Sequence, residues 1–556
     1  MDHRMQRSRT ARELRILLHT LRSTVFPWWL APLLVLPAAV GASEEEMASR
    51  QLLRDAAPAK TMAELRRDLD TGGTTAVAQV QQYLRRIEAL DRRGPRLQSV
   101  LALNPDALRL ARELDRELKE KGARSPLHGI AILIKDNVET ADPMPTTAGS
   151  LALARNATGR DAPIVANLRA AGAIVLGKTN LSEWANFRSE HSLSGWSAMG
   201  GLTRNPHVLD RSPCGSSAGS GVAVAAGLAP ASVGTETDGS ITCPSSMNGL
   251  VGLKPTVGLL SGERIVPISH SQDTAGPMTL TVSDAALLLA GMLGPTTGCG
   301  AAKTACDTNY SAALSADALQ GKRIGVWRFE AGRHPALEPI YERALQVLRN
   351  SGATLVEVVI PEQGAVYQSE EMVLYTEFKV DLNAYLATTP ATVTTRTLEQ
   401  LIEFNRKEPQ ELSLFGQEIF IKSQATGGLE SEAYRKAIAD GPRKAGPEGI
   451  TRLLNENKLD LLVAPTTSPA WRVDVANGDQ FGGSFSTLPA VSGYPHLTVP
   501  MGDVRGLPVG ISFIGVPWSE ALLLGAGFAF ESRANVRITP KFIPSLEAKE
   551  KALQRP

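Results

Sequence analysis

The sequence is short of several things at once. Four cysteines in 556 residues are too few for a disulfide scaffold. Lys and Arg number 58 against 57 Asp and Glu, so no basic excess exists to hold a phosphate backbone, and nucleic acid is not an expected partner. Aromatic residues make up only 5% of the chain, yet hydrophobic residues reach 43%, which excludes a disordered chain and leaves material for a large core. Histidine is absent between His207 and His270, so a catalytic base in that interval must be another residue type. No His, Cys, Asp or Glu group has metal-ligand spacing, and neither metal nor cofactor is expected.

An uncharged run extends from Ser23 to Ser43. Arg4, Arg7, Arg9, Arg12, Arg15 and Arg22 precede it, Val40-Gly41-Ala42 close it, and Glu44, Glu45 and Glu46 follow. That is the layout of a secretory signal cut after Ala42. A membrane anchor is the competing reading, since about 20 apolar residues can span a bilayer, but Pro27, Pro32 and Pro37 are spaced through the run. No Arg-Arg pair precedes it, which favours a general secretory route. The expectation is a signal over 1–42 and one domain over 43–556, exported to the periplasm or beyond, with no stable membrane anchor once cut.

Past this segment, Thr74-Thr75 can cap a helix with apolar positions Val77, Val80, Leu84, Ile87 and Leu90, and a second helix spans Asn104-Pro105 to near Gly122. Short apolar runs then alternate with helical stretches: Ile130 to Ile134, Ile174 to Leu176, Ile324 to Trp327, Leu355 to Ile360, Leu459 to Ala464, Leu497 to Val499 and Val509 to Phe513. This alternation predicts an α/β fold, a sheet covered by helices on both faces. The loop from Gly294 to Ala312 and the polar helical stretch from Thr397 to Ala439 read as connections or an insertion over the sheet.

Two segments imitate other chemistries. Gly172 to Thr179 satisfies the phosphate-loop pattern letter for letter, but its middle residues Ala173 to Leu176 are themselves a strand, which leaves no loop to wrap a phosphate. Gly215-Ser216-Ser217-Ala218-Gly219 fits a nucleophile elbow with Ser217 as nucleophile. That reading needs a downstream histidine, from His270, His334 or His496, and no oxyanion loop follows His128-Gly129. The surrounding glycine and serine, with apolar flanks, argue for close backbone approach to a ligand, against a bland set of tight turns.

Taken together, Gly129 to Asn137, Gly177 to Glu183, Ser212 to Ser240, Gly249 to Pro255, Gln272 to Pro277 and Gly506 to Ile511 resemble the amidase signature family across nearly all of the presumed mature chain. Cys214 to Ser217, Thr235 to Ser240 and Trp471 to Gly483 bring it nearest to bacterial peptide amidases. The resemblance implies a large mixed sheet and hydrolysis of an amide to acid and ammonia without a cofactor. It also implies a catalytic set of Lys135, Ser216 and Ser240, with Ser240 24 positions after Ser216, the family's separation. Ser240 would attack the amide carbon, Ser216 would relay its proton, and Lys135 would take it. A lysine acts as a base only when neutral, and burial at the end of an apolar strand favours that form.

By the same resemblance the Gly215-Ser216 peptide bond is cis, and the backbone N–H groups of Thr237, Asp238, Gly239 and Ser240 form the oxyanion hole. Many family members have glycine where this chain has Asp238, so its carboxylate should face away from the oxyanion or be offset by a neighbour; it could also orient Ser216 or Lys135. Asn137, Asn180 and Glu183 sit in matching motifs, where structural hydrogen bonding and substrate contact remain equal readings.

Trp471, Phe481 and Phe485 could line the substrate pocket or pack the core. In an oxidising compartment Cys299 and Cys306 are placed to pair, while Cys214 and Cys243 are expected to be reduced, buried hydrophobes. The expected partner is a small-molecule or peptide amide, and the chain is expected to be a monomer or homodimer. The alternatives are the glutaminase-type subunit of a transfer-RNA amidotransferase, which an exported chain could not serve, and a fatty or aryl amide hydrolase. A fatty-amide enzyme should carry a longer apolar run and a membrane-binding helix, which the sequence after Ala42 lacks.

Overall fold

The computed structural model describes residues 59–294, 309–328, 334–360 and 363–547. The signal reading and the Cys299 and Cys306 pairing lie outside these residues. Within them, no helix is long and apolar enough to cross a membrane.

Local sequence rules act as read in the first helices. The Thr75 hydroxyl accepts the Ala78 N–H at 3.0 Å and caps the helix Ala76–Arg86, whose buried face carries Val80 and Tyr83. Ile87 and Leu90 continue that face in a π-helical turn. The next helix, Ala107–Lys121, stops at Gly122, where φ is 82°; this left-handed position favours glycine.

The strands are β1 (Val100–Leu103), β2 (Ala131–Lys135), β3 (Ile174–Thr179), β4 (Trp196–Ser197), β5 (Gly201–Leu202), β6 (Ala231–Glu236), β7 (Val251–Lys254), β8 (Thr274–Thr279), β9 (Arg323–Val326), β10 (Thr354–Glu357), β11 (Leu461–Pro465), β12 (His496–Val504) and β13 (Leu507–Ile514). β4 and β5 pair alone; the others form an eleven-stranded sheet in the order β1-β3-β2-β6-β8-β7-β12-β13-β11-β9-β10. It is mixed: β2 runs parallel to β3 and β6, and β9 runs parallel to β10 and β11, while β6, β8, β7, β12 and β13 alternate antiparallel. One apolar cluster is built from Ile132, Val175, Val233 and Leu253 on the strands and Leu168, Leu289 and Phe530 on covering helices.

All seven apolar runs read from the sequence are strands. The missed strands are the two-residue β4 and β5 and, in the large sheet, β1, β6, β7 and β8, of which the last three form its centre. Their residues are small because helices and neighbouring strands press on them. A Cβ on Gly234 would meet Met278 Sδ at 2.7 Å, one on Gly252 would meet Ser245 Oγ at 2.2 Å, and one on Gly276 would meet the Leu253 carbonyl oxygen at 2.0 Å. Close packing has displaced the β-branched residues by which a strand is normally recognised.

Between β10 and β11 the chain inserts the helices Gly364–Ala387, Leu398–Lys407, Glu418–Gln424 and Glu432–Ala445. The first three share an apolar cluster with Trp184 and Ile268, in which Phe378 stacks on Phe420, and the fourth packs Tyr434 and Ala437 against Val373 of the first. A desolvated triad also holds the insertion: Arg188 lies 2.8 Å from Glu183 and 3.3 Å from Glu411, all fully buried, with its guanidinium 4.2 Å from the Phe415 ring centre.

Close packing makes one clear prediction. A Cβ on Gly219 would meet the carbonyl oxygens of Asn180 and Ser99, both at 2.4 Å, whereas one on Gly262 meets nothing within 4 Å. Gly219→Ala should lower the unfolding free energy by about 2 kcal/mol or more, and Gly262→Ala should change it by less than about 0.5 kcal/mol, as measured by urea denaturation.

Candidate active site

β2 and β6 are neighbouring parallel strands with Ile134 opposite Val233, so both deliver their C-terminal ends to the same place. Lys135 ends β2 and is fully buried. Its Nζ lies 2.7 Å from Ser216 Oγ, 2.9 Å from Thr235 Oγ1 and 3.2 Å from the Thr235 carbonyl oxygen. Asn137 donates to the same Thr235 hydroxyl at 2.9 Å. Burial lowers the Lys135 pKa to about 7 against the opposing pull of Asp273 and Glu236, a preference for the neutral amine of roughly 5 kcal/mol relative to water. A neutral amine has two N–H groups, which Thr235 can accept, and one lone pair, which is left for the Ser216 hydroxyl.

Ser216 follows a cis peptide bond with Gly215 and precedes the helix Ala218–Ala225. Glycine at 215 is a packing requirement, since a Cβ there would lie 2.2 Å from Ser182 Oγ. The glycines of this stretch therefore admit the chain's own segments as well as bordering a cleft, which corrects the ligand-only reading of their abundance. Ser217 faces the other way: it is fully buried, and its hydroxyl donates to the Thr235 carbonyl at 3.0 Å and accepts the Thr235 N–H at 3.2 Å. The phosphate-loop mimic is likewise core. Lys178 lies within β3, fully buried, donating to the Val138 carbonyl at 2.6 Å and Thr146 Oγ1 at 2.9 Å.

Thr237 to Ser240 form the turn from β6 into the helix Thr242–Met247. Glu236 fixes this turn from below, its Oε2 accepting the N–H groups of Ile241 at 2.7 Å and Thr242 at 2.9 Å at the helix start. From the side, Thr237 donates to Asp273 at 2.5 Å, and burial pushes the Asp273 carboxyl up to about 6. Among the described residues, the N–H groups of Thr237, Asp238, Gly239 and Ser240 have no acceptor, and all four residues line one cavity. A row of free N–H groups beside a hydroxyl is a site for a negative oxygen. Ser240 Oγ makes no hydrogen bond to Ser216; the link between the segments is the Ser217 N–H donating to the Ser240 carbonyl at 3.1 Å.

The cavity measures about 430 Å³, within the usual range for small-ligand clefts. Trp471 and Phe481 line it, their rings edge to face at 5.6 Å, and Phe481 is 53% exposed at the rim. Phe485 does not line it. It is buried against Trp327, ring centres 4.4 Å apart, because it belongs to the core behind β11. Asp479, within the stretch from Trp471 to Gly483 singled out in the sequence, lines it too, whereas sequence reading missed Tyr367 and Leu374, on one face of the insertion's long helix, and Phe187, Asn186 and Ser194. Asp479 is tied down by Trp471 Nε1 at 3.0 Å and the Ser194 N–H at 2.9 Å. A second cavity of about 250 Å³ reaches Asn137 and Thr235 from the other side of Thr237.

The remaining motif residues are structural. Asn180 donates to Thr203 Oγ1 and the Gly201 carbonyl, and Glu183 accepts the Ala198 N–H while pairing with Arg188. The fold also gathers a group that spacing does not reveal, since ligand atoms of His270, Glu377 and Asp381 lie within 4.8 Å of one another. Its acceptors are already occupied: Ser269, Ser271 and Tyr434 donate to Glu377, and His270 bonds Asp381 at 2.8 Å. Burial would lower the His270 pKa, but its bond to Asp381 and the charges of Glu377, Asp381 and Asp273 raise it above the ordinary imidazole value.

The cysteine expectation fails at the cleft. Cys214 and Cys243 form a disulfide with their Cα atoms 6.0 Å apart, and both line the cavity. Their places on either side of the catalytic stretch suggested reduced thiols; the fold instead brings the residue before Gly215 against the third residue after Ser240.

Known proteins resemble the chain along most of its length. The amidase family profile matches residues 78–524. A probable amidase of Arabidopsis thaliana is 39% identical over 497 residues, covering 87% of this chain and 91% of its own. A glutamyl-tRNA(Gln) amidotransferase subunit from Chloroflexus aggregans is 35% identical, covering 83% and 94%. Among solved structures, native peptide amidase from Stenotrophomonas maltophilia is 49% identical with a TM-score of 0.82, covering 87% of this chain and 98% of its own.

The bridge closes a loop spanning 29 positions. Replacing both cysteines by alanine should lower the unfolding free energy by about 3–4 kcal/mol. Denaturant titration of the oxidised protein against the double variant measures it, and a difference under about 1 kcal/mol would contradict the expectation.

Proposed function

The chain belongs to the amidase signature family and is an amidase, and on that premise we propose that it removes ammonia from C-terminal peptide amides through an acyl-enzyme on Ser240. The observation that carries the chemical part is the contact of a buried, readily neutral Lys135 with Ser216, next to a hydroxyl bordered by four free N–H groups. Ser240 Oγ attacks the amide carbon, and its proton passes through Ser216 to the Lys135 lone pair. The N–H groups of the 237–240 turn hold the oxyanion. As the C–N bond breaks, Lys135 returns a proton through Ser216 to the nitrogen, which leaves as ammonia. Water then attacks the ester by the same relay, releasing the acid.

A peptide amide is favoured by near full-length similarity to a peptide amidase and by the cleft's composition. Trp471, Phe481 and Tyr367 offer apolar surface for a side chain, while Asn186, Ser194 and Asp479 supply polar groups for a peptide backbone. The alternative of a glutaminase in an amidotransferase complex is not favoured. The signal-like run and the disulfide together support export, since such bonds persist in oxidising compartments. Residues 43–556 would then be the mature enzyme.

Ser240→Ala should reduce kcat by about 10³-fold or more, whereas Ser217→Ala should leave a less stable but active enzyme; the reverse pattern would restore the elbow reading. Below about pH 7 Lys135 is an ammonium ion that cannot accept a proton, so kcat/KM should rise with pH through that value, and Lys135→Ala should remove the rise together with most activity. Mass spectrometry of a short amidated peptide should show only the mass change of CONH2 becoming COOH. Internal fragments, or turnover of long-chain fatty amides alone, would overturn the substrate reading. Fractionation of the source cells should find the enzyme outside the cytosol and beginning at Ser43.

A further inference from the structure

Asp238 places a carboxylate in the turn that must hold a developing negative oxygen. Its Oδ2 accepts the Thr487 hydroxyl at 2.7 Å, and the Ser486 hydroxyl also bonds the group. Its Oδ1 is buried with no N–H or hydroxyl donating to it, and a second carboxyl, Glu370, interacts with the Asp238 side chain. Glu370 lies on the helix Gly364–Ala387 between the cleft-lining Tyr367 and Leu374, is buried, and accepts Gln272 Nε2 at 3.0 Å on its Oε1. Two carboxylates offer each other only acceptors. A hydrogen bond between them needs a proton on one, and a buried acceptor left unpaired costs about 1–3 kcal/mol.

We propose that Glu370 is a positioning residue that shares one proton with Asp238, keeping the pair at a single negative charge turned away from the oxyanion, and that loss of this proton sets the alkaline limit of activity. The proposal rests on the reading of Ser240 as nucleophile. Burial, with the Asp238 charge beside it, pushes Glu370 well above the ordinary carboxylate range. The charged groups facing the pair are Glu236 at the end of β6 and Lys254 at the end of β7, with Asp273 bonded to the adjacent Thr237. Burial lowers Lys254 to about 8 against the pull of Glu236, Glu520 and Asp238, so its charge, which steadies the pair's anion, fades over the same alkaline range. With one proton on the pair the oxyanion turn meets one shared charge. With none it meets two, which raises the energy of the tetrahedral intermediate, and kcat falls.

Glu370→Gln tests this, because glutamine can donate to Asp238 Oδ1 and accept from Gln272 but cannot ionise. Asp238→Asn tests it independently, with the amide donating to Glu370. The wild type should rise through about pH 7 and then lose at least about tenfold of its maximal kcat at alkaline pH. Both variants should keep the rise and lose the fall. A purely structural role would scale the whole profile without changing its shape. The proposal is overturned if the wild type shows no alkaline fall, or if whichever variant folds to the native circular dichroism spectrum falls as the wild type does, which would assign the limb to Lys254. Activity of Ser240→Ala in the same assays would instead overturn the underlying nucleophile reading, so the two failures are distinguishable.

Discussion

A lysine amine shut out of water at the end of β2 is the constraint on which the site depends. In solvent Lys135 would be an ammonium ion and a proton donor; buried, it becomes a base close to neutral pH. Burial demands that its neighbours be acceptors of fixed position, and Thr235 on the adjacent parallel strand supplies two. That requirement fixes the register of β2 against β6, which in turn fixes where the turn after β6 presents Ser240.

The same neighbourhood gathers more ionisable groups than a core normally tolerates. Glu236, Lys254 and Glu370 are buried around the turn and Asp273 and Asp238 partly so, and nearly all are bonded to backbone N–H groups, hydroxyls or side-chain amides. Their charges are not interchangeable decorations. Glu236 caps a helix start, Asp273 anchors Thr237, and both pull Lys135 back toward its protonated form while burial pulls it away. The base is set by that opposition, so replacing either acid would shift the relay without touching a reacting atom.

How much of this was legible in the sequence follows from how each feature is encoded. Lys135 stood out because it ends an apolar strand, and Ser216 and Ser240 because they sit in a patterned stretch; the fold brings these segments together. Tyr367 and Glu370 could not be seen, since one reaches the cleft and the other Asp238 from a helix more than a hundred residues downstream whose apolar positions have no simple periodicity. Phe485 and Phe481, four residues apart, look alike in sequence but are divided by the core boundary. β6 to β8 were hidden by their own function, because the segments bearing the hydroxyls must pack so tightly that small residues replace the usual strand formers. The Cys214–Cys243 bridge was missed because sequence separation says nothing of which turns meet.

The Arg188 triad gives the inserted helices a character that their position between β10 and β11 disguises. Such an insertion looks exchangeable, a cap that could be trimmed or swapped between relatives to change what the cleft accepts. Yet Glu411, from the segment between its second and third helices, neutralises a guanidinium rooted in the sheet-side loop that also carries Glu183. Excising the cap would strand a buried cation with a single acid whose own carboxyl burial biases toward neutrality. Grafts in this fold therefore have to carry Arg188 and Glu183 along with the helices, and the unit that is inherited or engineered is larger than the insertion itself.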